Sequence, residues 1–560
     1  MRYIIIGAVA GGASTAARLR RLDEHSEIVI FEKGEYISYA NCGLPYYIGN
    51  IIKDRNKLFV QTATSFSIRF NIDVRISTEV ISIDPVQKLI IAKNLLTGKE
   101  YAETYDKLVL SPGANPIRPA LPGIDNQGIF TLRNVTDTDY IKSYVTGRHA
   151  KKAVVIGAGF IGLEMAENFQ ELGMDVSVVE MSTQILAPVD YPIAAIAQKH
   201  LREKNIQLYL NTAVTGFVKD EAGLKVQLNN GLELAADIVI LSIGVKPDIK
   251  LAEMAGLKIG EAKGISVNEY LQTSDPHIYA VGDAIEFANP ISGEAMITYL
   301  AGPANKQGRI CANNLVLGNL HAYKGSINTA IVKLFDMTIG VAGIAVKNLE
   351  RNGIKHLVTT IHGNSHASYY PGAQIMTIQI AFSPENGRLL SAQVIGGNGV
   401  DKRIDLLAAV IKEKGTIYDI AEIEQAYAPP FSSAKDPVNM AGFVAENVLN
   451  GKLKIIQCSK LESVSDGKVL IDVRTETEFA AGTIDGAVNI PLDEIRTRLD
   501  EIPTDKPVYI FCQQGMRGYL AQRILVQRGY SDVSNLSGGY LLWKTYWDEI
   551  RYPSVASAIV

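Results

Sequence analysis

Twice in this chain an apolar run of strand length breaks into a glycine-rich turn and leads into a helix-forming segment. The first run, 3–6, meets Gly7-Ala8-Val9-Ala10-Gly11-Gly12 and a helix expected over 13–22. The second, 153–156, meets Gly157-Ala158-Gly159-Phe160-Ile161-Gly162 and a helix expected to about residue 172. Another strand follows each helix and ends in a carboxylate: 27–31 before Glu32, and 175–179 before Glu180. A lone glycine loop is usually no more than a tight turn. In this order it reads as a βαβ unit in which a pyrophosphate sits at the helix N-terminus and the acid takes a ribose hydroxyl. The first loop, Gly-x-x-x-Gly-Gly, is a variant of the fingerprint; the second is the complete Gly-x-Gly-x-x-Gly. The fold class that follows is α/β, with two Rossmann-like dinucleotide-binding domains.

The acid of the second unit also speaks to the cofactor. A carboxylate at Glu180 binds the 2′-hydroxyl of NADH and repels a 2′-phosphate, and the following Met181-Ser182 offers no arginine to welcome one. NADH is therefore expected, with NADPH as the weaker alternative.

At 560 residues the chain exceeds what one core can organise, so three or four domains are expected. A hydrophobic fraction of 47%, a charged fraction of 20% and a net charge of -4 give no pull toward nucleic acid or an anionic membrane. The opening apolar residues are strand length and run through glycines into a basic helix, unlike a secretory leader. No apolar stretch approaches the roughly 20 residues that span a bilayer, and a cytoplasmic location is expected. Cys42, Cys311, Cys458 and Cys512 are scattered, in no metal-like pair. That pattern argues against a disulfide framework or a metal site, and for a reducing compartment in which an important cysteine works as a thiolate.

Two further strands, ending at Ser111-Pro112-Gly113 and Ser242-Ile243-Gly244, have the small residues that suit close approach to a flavin or nicotinamide. The segment Thr273-Ser274-Asp275-Pro276-His277-Ile278-Tyr279-Ala280-Val281-Gly282-Asp283-Ala284 resembles the second FAD motif of the pyridine nucleotide-disulfide oxidoreductases. By that resemblance Asp283 binds the ribityl chain of FAD. The likeness covers residues 1 to about 455. It implies an FAD domain over 1–115 and 248–322, an inserted NADH domain over 116–247, and a dimer-interface domain over 323–448, hence a homodimer.

Within that family Cys42 stands alone. Its setting, Ser38-Tyr39-Ala40-Asn41-Cys42-Gly43-Leu44-Pro45, holds no second cysteine to close an internal disulfide. The partner sulfur comes from a bound thiol cofactor, a sulfenic acid or the substrate. The segment looks like the motif of coenzyme A-disulfide reductases, which commonly have Phe at Tyr39, and it brings Ser38 and Asn41 among the cofactor contacts. NADH oxidases and peroxidases share the cysteine.

Three features lean toward the coenzyme A branch, one being that the segment 432–442 ends the interface domain as in that family. Arg18, Arg20 and Arg21 crowd the first helix. Such a cluster is usually a solvated face, yet coenzyme A carries phosphates that want guanidinium partners; Arg18 and Arg21 share a helical face and are preferred. The segments Ser368-Tyr369-Tyr370-Pro371 and Ala426-Tyr427-Ala428-Pro429-Pro430 resemble those that supply two catalytic tyrosines in that branch. A tyrosine hydroxyl can protonate a departing thiolate. Tyr427 is set by its context, and Tyr369 is preferred to Tyr370. The usual fate of any one tyrosine, half-buried at an interface, is the alternative.

From about residue 459 the pattern restarts. A strand over 468–474 is followed by Glu478-Phe479-Ala480-Ala481-Gly482-Thr483, and a second strand, 507–512, ends at Cys512. The loop Gln513-Gln514-Gly515-Met516-Arg517-Gly518 and a helix expected over 519–528 place Cys512 among backbone N–H groups at a helix N-terminus, with Arg517 closing the ring. Such a setting favours a thiolate or persulfide. The whole of 449–560 resembles a rhodanese homology domain, apart from Thr483 where the family usually has histidine, a position expected to lie away from the loop. A phosphatase loop, with one more residue between Cys and Arg, is the rival.

The resemblance as a whole is to coenzyme A-disulfide reductases fused to a rhodanese domain. It implies FAD, NADH and coenzyme A as cofactors and sulfane-sulfur or disulfide compounds as substrates. Hydride from NADH would reach Cys42 through the flavin, Tyr369 and Tyr427 would assist the leaving sulfur, and Cys512 would load sulfur onto a pantetheine arm. An oxidase or peroxidase cycling Cys42 through a sulfenic acid, and a redox-sensing binding protein, are the other readings. The choice among polysulfide, coenzyme A persulfide and coenzyme A disulfide stays open.

Overall fold

The structure, a computed structural model, describes residues 1–221, 223–462 and 467–552. It divides into two compact units: Met1–Val179 with Ala213–Asn328, and Glu180–Thr212 with the chain from 329 onward.

The first unit is built on a five-stranded parallel sheet, in the order Ile278–Ala280, Lys107–Leu110, Arg2–Ile6, Glu27–Phe31 and Asp73–Arg75. Strands buried on both faces read as continuous β-branched runs, and Ile4, Ile5, Val29, Ile30 and Val109 are all fully buried. Register matters most for function. Ile6 lies opposite both Phe31 and Leu110, so Gly7, Glu32 and Ser111 leave the sheet together at its carboxyl edge. A second parallel sheet of the same kind holds Asp175–Val179, Lys152–Ile156, Ile238–Leu241 and Ile129–Thr131. The α/β class and its two Rossmann-like sheets are as expected.

The first helix runs Ala10–Leu22, three residues earlier than its pattern suggests. Gly11 and Gly12 belong to its first turn because nothing larger fits there. A Cβ on Gly12 would lie 1.9 Å from the Gly7 carbonyl oxygen, and one on Gly308 of the neighbouring helix Ala301–Leu317 would lie 2.5 Å from that of Gly11.

The second unit contains a five-stranded antiparallel sheet, Ala330–Leu334, Met337–Gly343, Leu389–Gly396, Ile375–Phe382 and Leu357–Asn364 in order, with Val400–Lys412 and Pro437–Leu449 packed on it. The segment 180–212 joins it through Asp190, whose carboxylate accepts from Gln379 Nε2 at 2.9 Å and from the Val346 N–H at 3.0 Å. Beyond it a five-stranded parallel sheet runs Ile455–Ile456, Val533–Leu536, Val508–Phe511, Val469–Asp472, Val488–Asn489. Its tie to the antiparallel sheet is direct. Thr360 N–H donates to Ser537 Oγ at 3.0 Å, and His362 Nε2 lies 2.8 Å from the Gly538 carbonyl oxygen. Among the described residues no helix is long and apolar enough to cross a membrane, and no group of His, Cys, Asp and Glu could hold a metal.

Candidate functional site

At the carboxyl edge of the first sheet lies a cavity of about 550 Å³. Gly7, Gly11, Glu32, Ser111, Gly113, Gly282 and Asp283 line it, and so do Asn41 and Cys42. Five separated stretches of sequence therefore meet at one place, which is where a doubly wound sheet binds ligands. Gly7 turns at φ 95°, and a Cβ there would sit 2.1 Å from the Ser111 carbonyl oxygen. Glu32 accepts the N–H of Ala8 at 2.9 Å and of Gly34 at 2.8 Å, which holds its carboxylate beside the loop. Burial pushes the Asp283 carboxyl up, against the pull of Arg133. A dry carboxyl of this kind gains from a hydroxyl donor, and the ribityl chain of a flavin carries several. The donor set and the elongated cradle fit FAD.

The second loop repeats the first. Gly157 turns at φ 98°, its N–H donates to the Val179 carbonyl as Gly7 donates to that of Phe31, and its Cβ would meet the Ser242 carbonyl oxygen at 2.4 Å. Gly162 packs against Gly157 and Ser242, whereas nothing lies within 4 Å of a Cβ on Gly159. The three glycines divide as the fingerprint requires: turn, open approach to a pyrophosphate, helix-to-strand contact. Gly244 follows at φ 113°. The loop fits a dinucleotide. Ser242, the counterpart of Ser111 at the end of its strand, has its hydroxyl 2.9 and 3.0 Å from the carbonyl oxygens of Ile156 and Gly157 and so sits against the glycine turn. Glu180 accepts the N–H of Ser182 at 2.8 Å.

Cys42 lies in a short 3-10 turn, Asn41–Gly43, that runs straight into the helix Leu44–Ile48. It is free and exposed. Its thiol is nevertheless pushed up, by desolvation first and then by the charges of Glu164 and Asp283. The protein groups around Cys42 by themselves favour the thiol over the thiolate. Cys311 and Cys458 are free and buried, and burial raises both, Cys458 to about 12, as suits structural positions.

Several named residues lie outside the cavity wall. Gly12 serves packing. Ser38, at φ 46°, donates its N–H to the Ala8 carbonyl at 2.8 Å and fixes the entry to the Cys42 segment. Arg20 turns inward to the carbonyls of Phe70, Asn71, Asp23 and Glu24. Arg18 and Arg21 remain outside, and Arg18 is lowered by desolvation and by the neighbouring charges of Arg309 and Arg21. Arg309, absent from the sequence reading, completes a basic patch.

Tyr369 and Tyr427 come together, their hydroxyl oxygens 2.8 Å apart, both exposed. Tyr370 instead stands edge-on to His366, ring centroids 5.6 Å apart.

Cys512 sits just beyond the strand Val508–Phe511, 1% exposed, and the Gly515 N–H donates to its sulfur at 3.1 Å. Helix Met516–Gln527 begins earlier than expected, which places Arg517 in its first turn. The first partner of Arg517 is not the sulfur, as its spacing suggested, but Glu478, held at 2.6 and 2.7 Å; Cys512 acts on it more weakly. Glu478 is held in turn by the capping box of Thr475. Thr483 donates its hydroxyl to Asp472, which binds Arg474, and Arg474 in turn reaches Gln513 Oε1 at 3.2 Å.

Residues 1–308 match the family model of the pyridine nucleotide-disulphide oxidoreductases, 329–437 that family's dimerisation domain, and 459–546 the rhodanese-like domain. A coenzyme A disulfide reductase of Staphylococcus haemolyticus is 36% identical over 80% of this chain and 100% of its own. The crystal structure of reduced CoADR-RHD from Bacillus anthracis shares 47% identity over 98% of both chains, with a TM-score of 0.96. An NAD-dependent persulfide reductase from A. fulgidus shares 37% identity over 97% of this chain and 100% of that one, with a TM-score of 0.91. With two glycine cradles, a lone thiol on the first and a second cysteine loop at its far end, the chain belongs to the pyridine nucleotide-disulphide oxidoreductases, in the coenzyme A disulfide reductase branch, with a rhodanese-like domain fused behind it.

Proposed function

We propose that this enzyme uses NADH to reduce sulfane-sulfur and disulfide derivatives of coenzyme A, with Cys42 as its one redox-active cysteine. The observation that carries the reading is that this free thiol opens onto the same cavity as Gly7, Glu32 and Asp283. A bound flavin supplies the two-electron relay between nicotinamide and sulfur. The chain's own residues do the rest. Residues 1–115 with 248–322 hold FAD, 116–247 hold NADH with Glu180 on the ribose, and 323–448 form the interface of a homodimer. Cys42 forms a mixed disulfide or persulfide with the substrate. Arg18 and Arg21 take the phosphates of coenzyme A, with Arg21 exposed and Arg18 half-buried, its Nε donating to Asn313 Oδ1 at 3.0 Å. The hydroxyl pair of Tyr369 and Tyr427 stabilises the departing sulfur. Cys512, in the 449–560 domain, carries persulfide sulfur to the coenzyme A thiol, with Arg517 beside it. Four free cysteines suit a reducing, cytoplasmic setting.

The test is NADH consumption by the flavin-loaded protein and its Cys42→Ser variant, with coenzyme A persulfide, coenzyme A disulfide, polysulfide, oxygen and peroxide as acceptors. Cys42→Ser should keep flavin and NADH binding and lose turnover on every sulfur acceptor. Full turnover on polysulfide in that variant overturns the mechanism, and a preference for oxygen or peroxide in the parent makes it an oxidase or peroxidase.

A further inference from the structure

The protein groups around Cys42 favour its thiol form, and among the described residues lining its cavity there is no histidine to activate it. What it has instead lies one helical turn away. The 3-10 turn Asn41–Gly43 passes into the helix Leu44–Ile48 through Gly43 and Leu44 in right-handed helical geometry, so Cys42 and Tyr46 stand on one face. The Tyr46 hydroxyl reaches across to the helix Phe160–Glu171 and donates to Glu164 Oε1 at 3.3 Å. We propose that Tyr46 and Glu164 form the proton relay of Cys42, with Glu164 as the base that holds the proton while the sulfur is bonded to substrate.

The inference rests on the proposed role of Cys42. Glu164 is suited to the task because burial, then the charge of Glu167, pushes its carboxyl up to about 7, although its bond from Tyr46 acts the other way. A base works best when its own affinity for the proton matches the working pH. Cys42, Tyr46 and Glu164 also feel one another's charge, so thiolate and carboxylate oppose each other and the site favours one negative charge over two. The groups that face Glu164 are few. Tyr46 comes from the helix Leu44–Ile48 and Glu167 from its own, and Cys42 adds its charge, while Asp283 acts on Cys42. Among the described residues no cation shifts Glu164, and Lys142, on the helix Val135–Arg148 that packs on Leu44–Ile48, is committed to the Tyr47 carbonyl and Asn50. The strands Lys152–Ile156, Asp175–Val179 and Ile238–Leu241 beneath the helix carry charge only at their first residues, Lys152 and Asp175.

The cycle balances. The Cys42 thiol gives its proton to the Tyr46 oxygen as the Tyr46 proton passes to the Glu164 carboxylate. The thiolate attacks the substrate sulfur; a new Cys42–sulfur bond forms, the old sulfur–sulfur bond breaks, and the leaving thiolate carries the charge away. Hydride from NADH then supplies the two electrons that cleave the Cys42–sulfur bond, and its proton is released to solvent. The second product leaves as a thiolate or hydrosulfide, and Cys42 recovers its proton from Glu164 along the same path.

The experiment pairs two readouts on the flavin-loaded, NADH-reduced protein: iodoacetamide labelling of Cys42 against pH, followed by mass spectrometry of its peptide, and kcat against pH with coenzyme A persulfide. In Glu164→Gln the labelling above pH 8 should become several-fold faster, because no carboxylate opposes the thiolate, and the break near pH 7 should vanish. Turnover should nevertheless fall by about 10². Tyr46→Phe should lower turnover in the same way and move the break upward, since Glu164 loses a donor. A merely structural role would not make the thiol more reactive and the enzyme slower at once. Unchanged labelling and kcat profiles in Glu164→Gln overturn the relay; if that variant fails to bind flavin, unchanged profiles in Tyr46→Phe do so. Retained turnover in Cys42→Ser would instead remove the reading beneath it.

Discussion

The hydroxyls of Tyr369 and Tyr427 share a hydrogen bond of 2.8 Å across 58 residues of sequence. Only one of the two can donate to the other, so the pair keeps one free O–H to offer outward. The Tyr369 hydroxyl is raised above the ordinary tyrosine value, chiefly by its hydrogen bond with Tyr427, and so stays protonated through neutral and mildly alkaline pH. Tyr369→Phe and Tyr427→Phe should each lower kcat on coenzyme A disulfide by roughly 10–100-fold. Because they act as one unit, the double variant should lose little more than the worse single one. Additive losses in a double-mutant cycle would show two independent tyrosines.

Glu180 sets nucleotide choice. NADH should outperform NADPH in kcat/KM, and Glu180→Ala should narrow the gap by removing a ribose contact and a repulsion. Equal kcat/KM for the two nucleotides in the parent would show that another residue reads the ribose.

Arg517 and Glu478 form a two-point ion pair beside Cys512, and Arg517 holds the Glu478 carboxyl down to about 2. With its guanidinium engaged, the loop should disfavour dianionic donors. Glu478→Gln should raise sulfur loading from thiosulfate several-fold relative to loading from polysulfide. Cys512→Ser should impair turnover on polysulfide while sparing preformed coenzyme A persulfide. Equal loss on both substrates would place Cys512 in the reductive step itself.

His362 bridges Thr377 and the Gly538 carbonyl, 2.9 and 2.8 Å away. Burial lowers it to about 4. Its folded value lies below the unfolded one of about 6.5, so the unfolded chain binds the proton first. The stability it contributes is whole above about pH 6.5 and drains away as pH falls toward 4, by about 3 kcal/mol in all. The thermal midpoint should therefore drop between pH 7 and 5, and His362→Gln should flatten that slope. An identical slope in the variant would assign the acid sensitivity to other groups.

The parts of this protein legible in its sequence are those whose physical demand is local. A glycine at φ 95° or 98° and a helix that must begin within a few residues of a strand leave their mark on consecutive positions, so both cradles and the α/β class could be read directly. Cys42 and Cys512 were legible for the same reason, each within one motif. Helix starts at Ala10 and Met516 were not, because close packing of Gly11 and Gly12 and the folding of the Cys512 loop extend those helices inward.

Tertiary structure alone decided what the reactive groups touch. Tyr46 meets Glu164 across 118 residues and Arg517 meets Glu478 across 39, distances at which no periodicity carries a signal. It also turned Arg20 into a backbone anchor while leaving Arg18 and Arg21 outside, and drew Thr483 into the support of the sulfur loop. The sequence determined which chemical groups this protein owns and the turns that present them. Their protonation and their partners were set by burial and by the packing of distant helices, because electrostatic interactions follow distance in space and not along the chain.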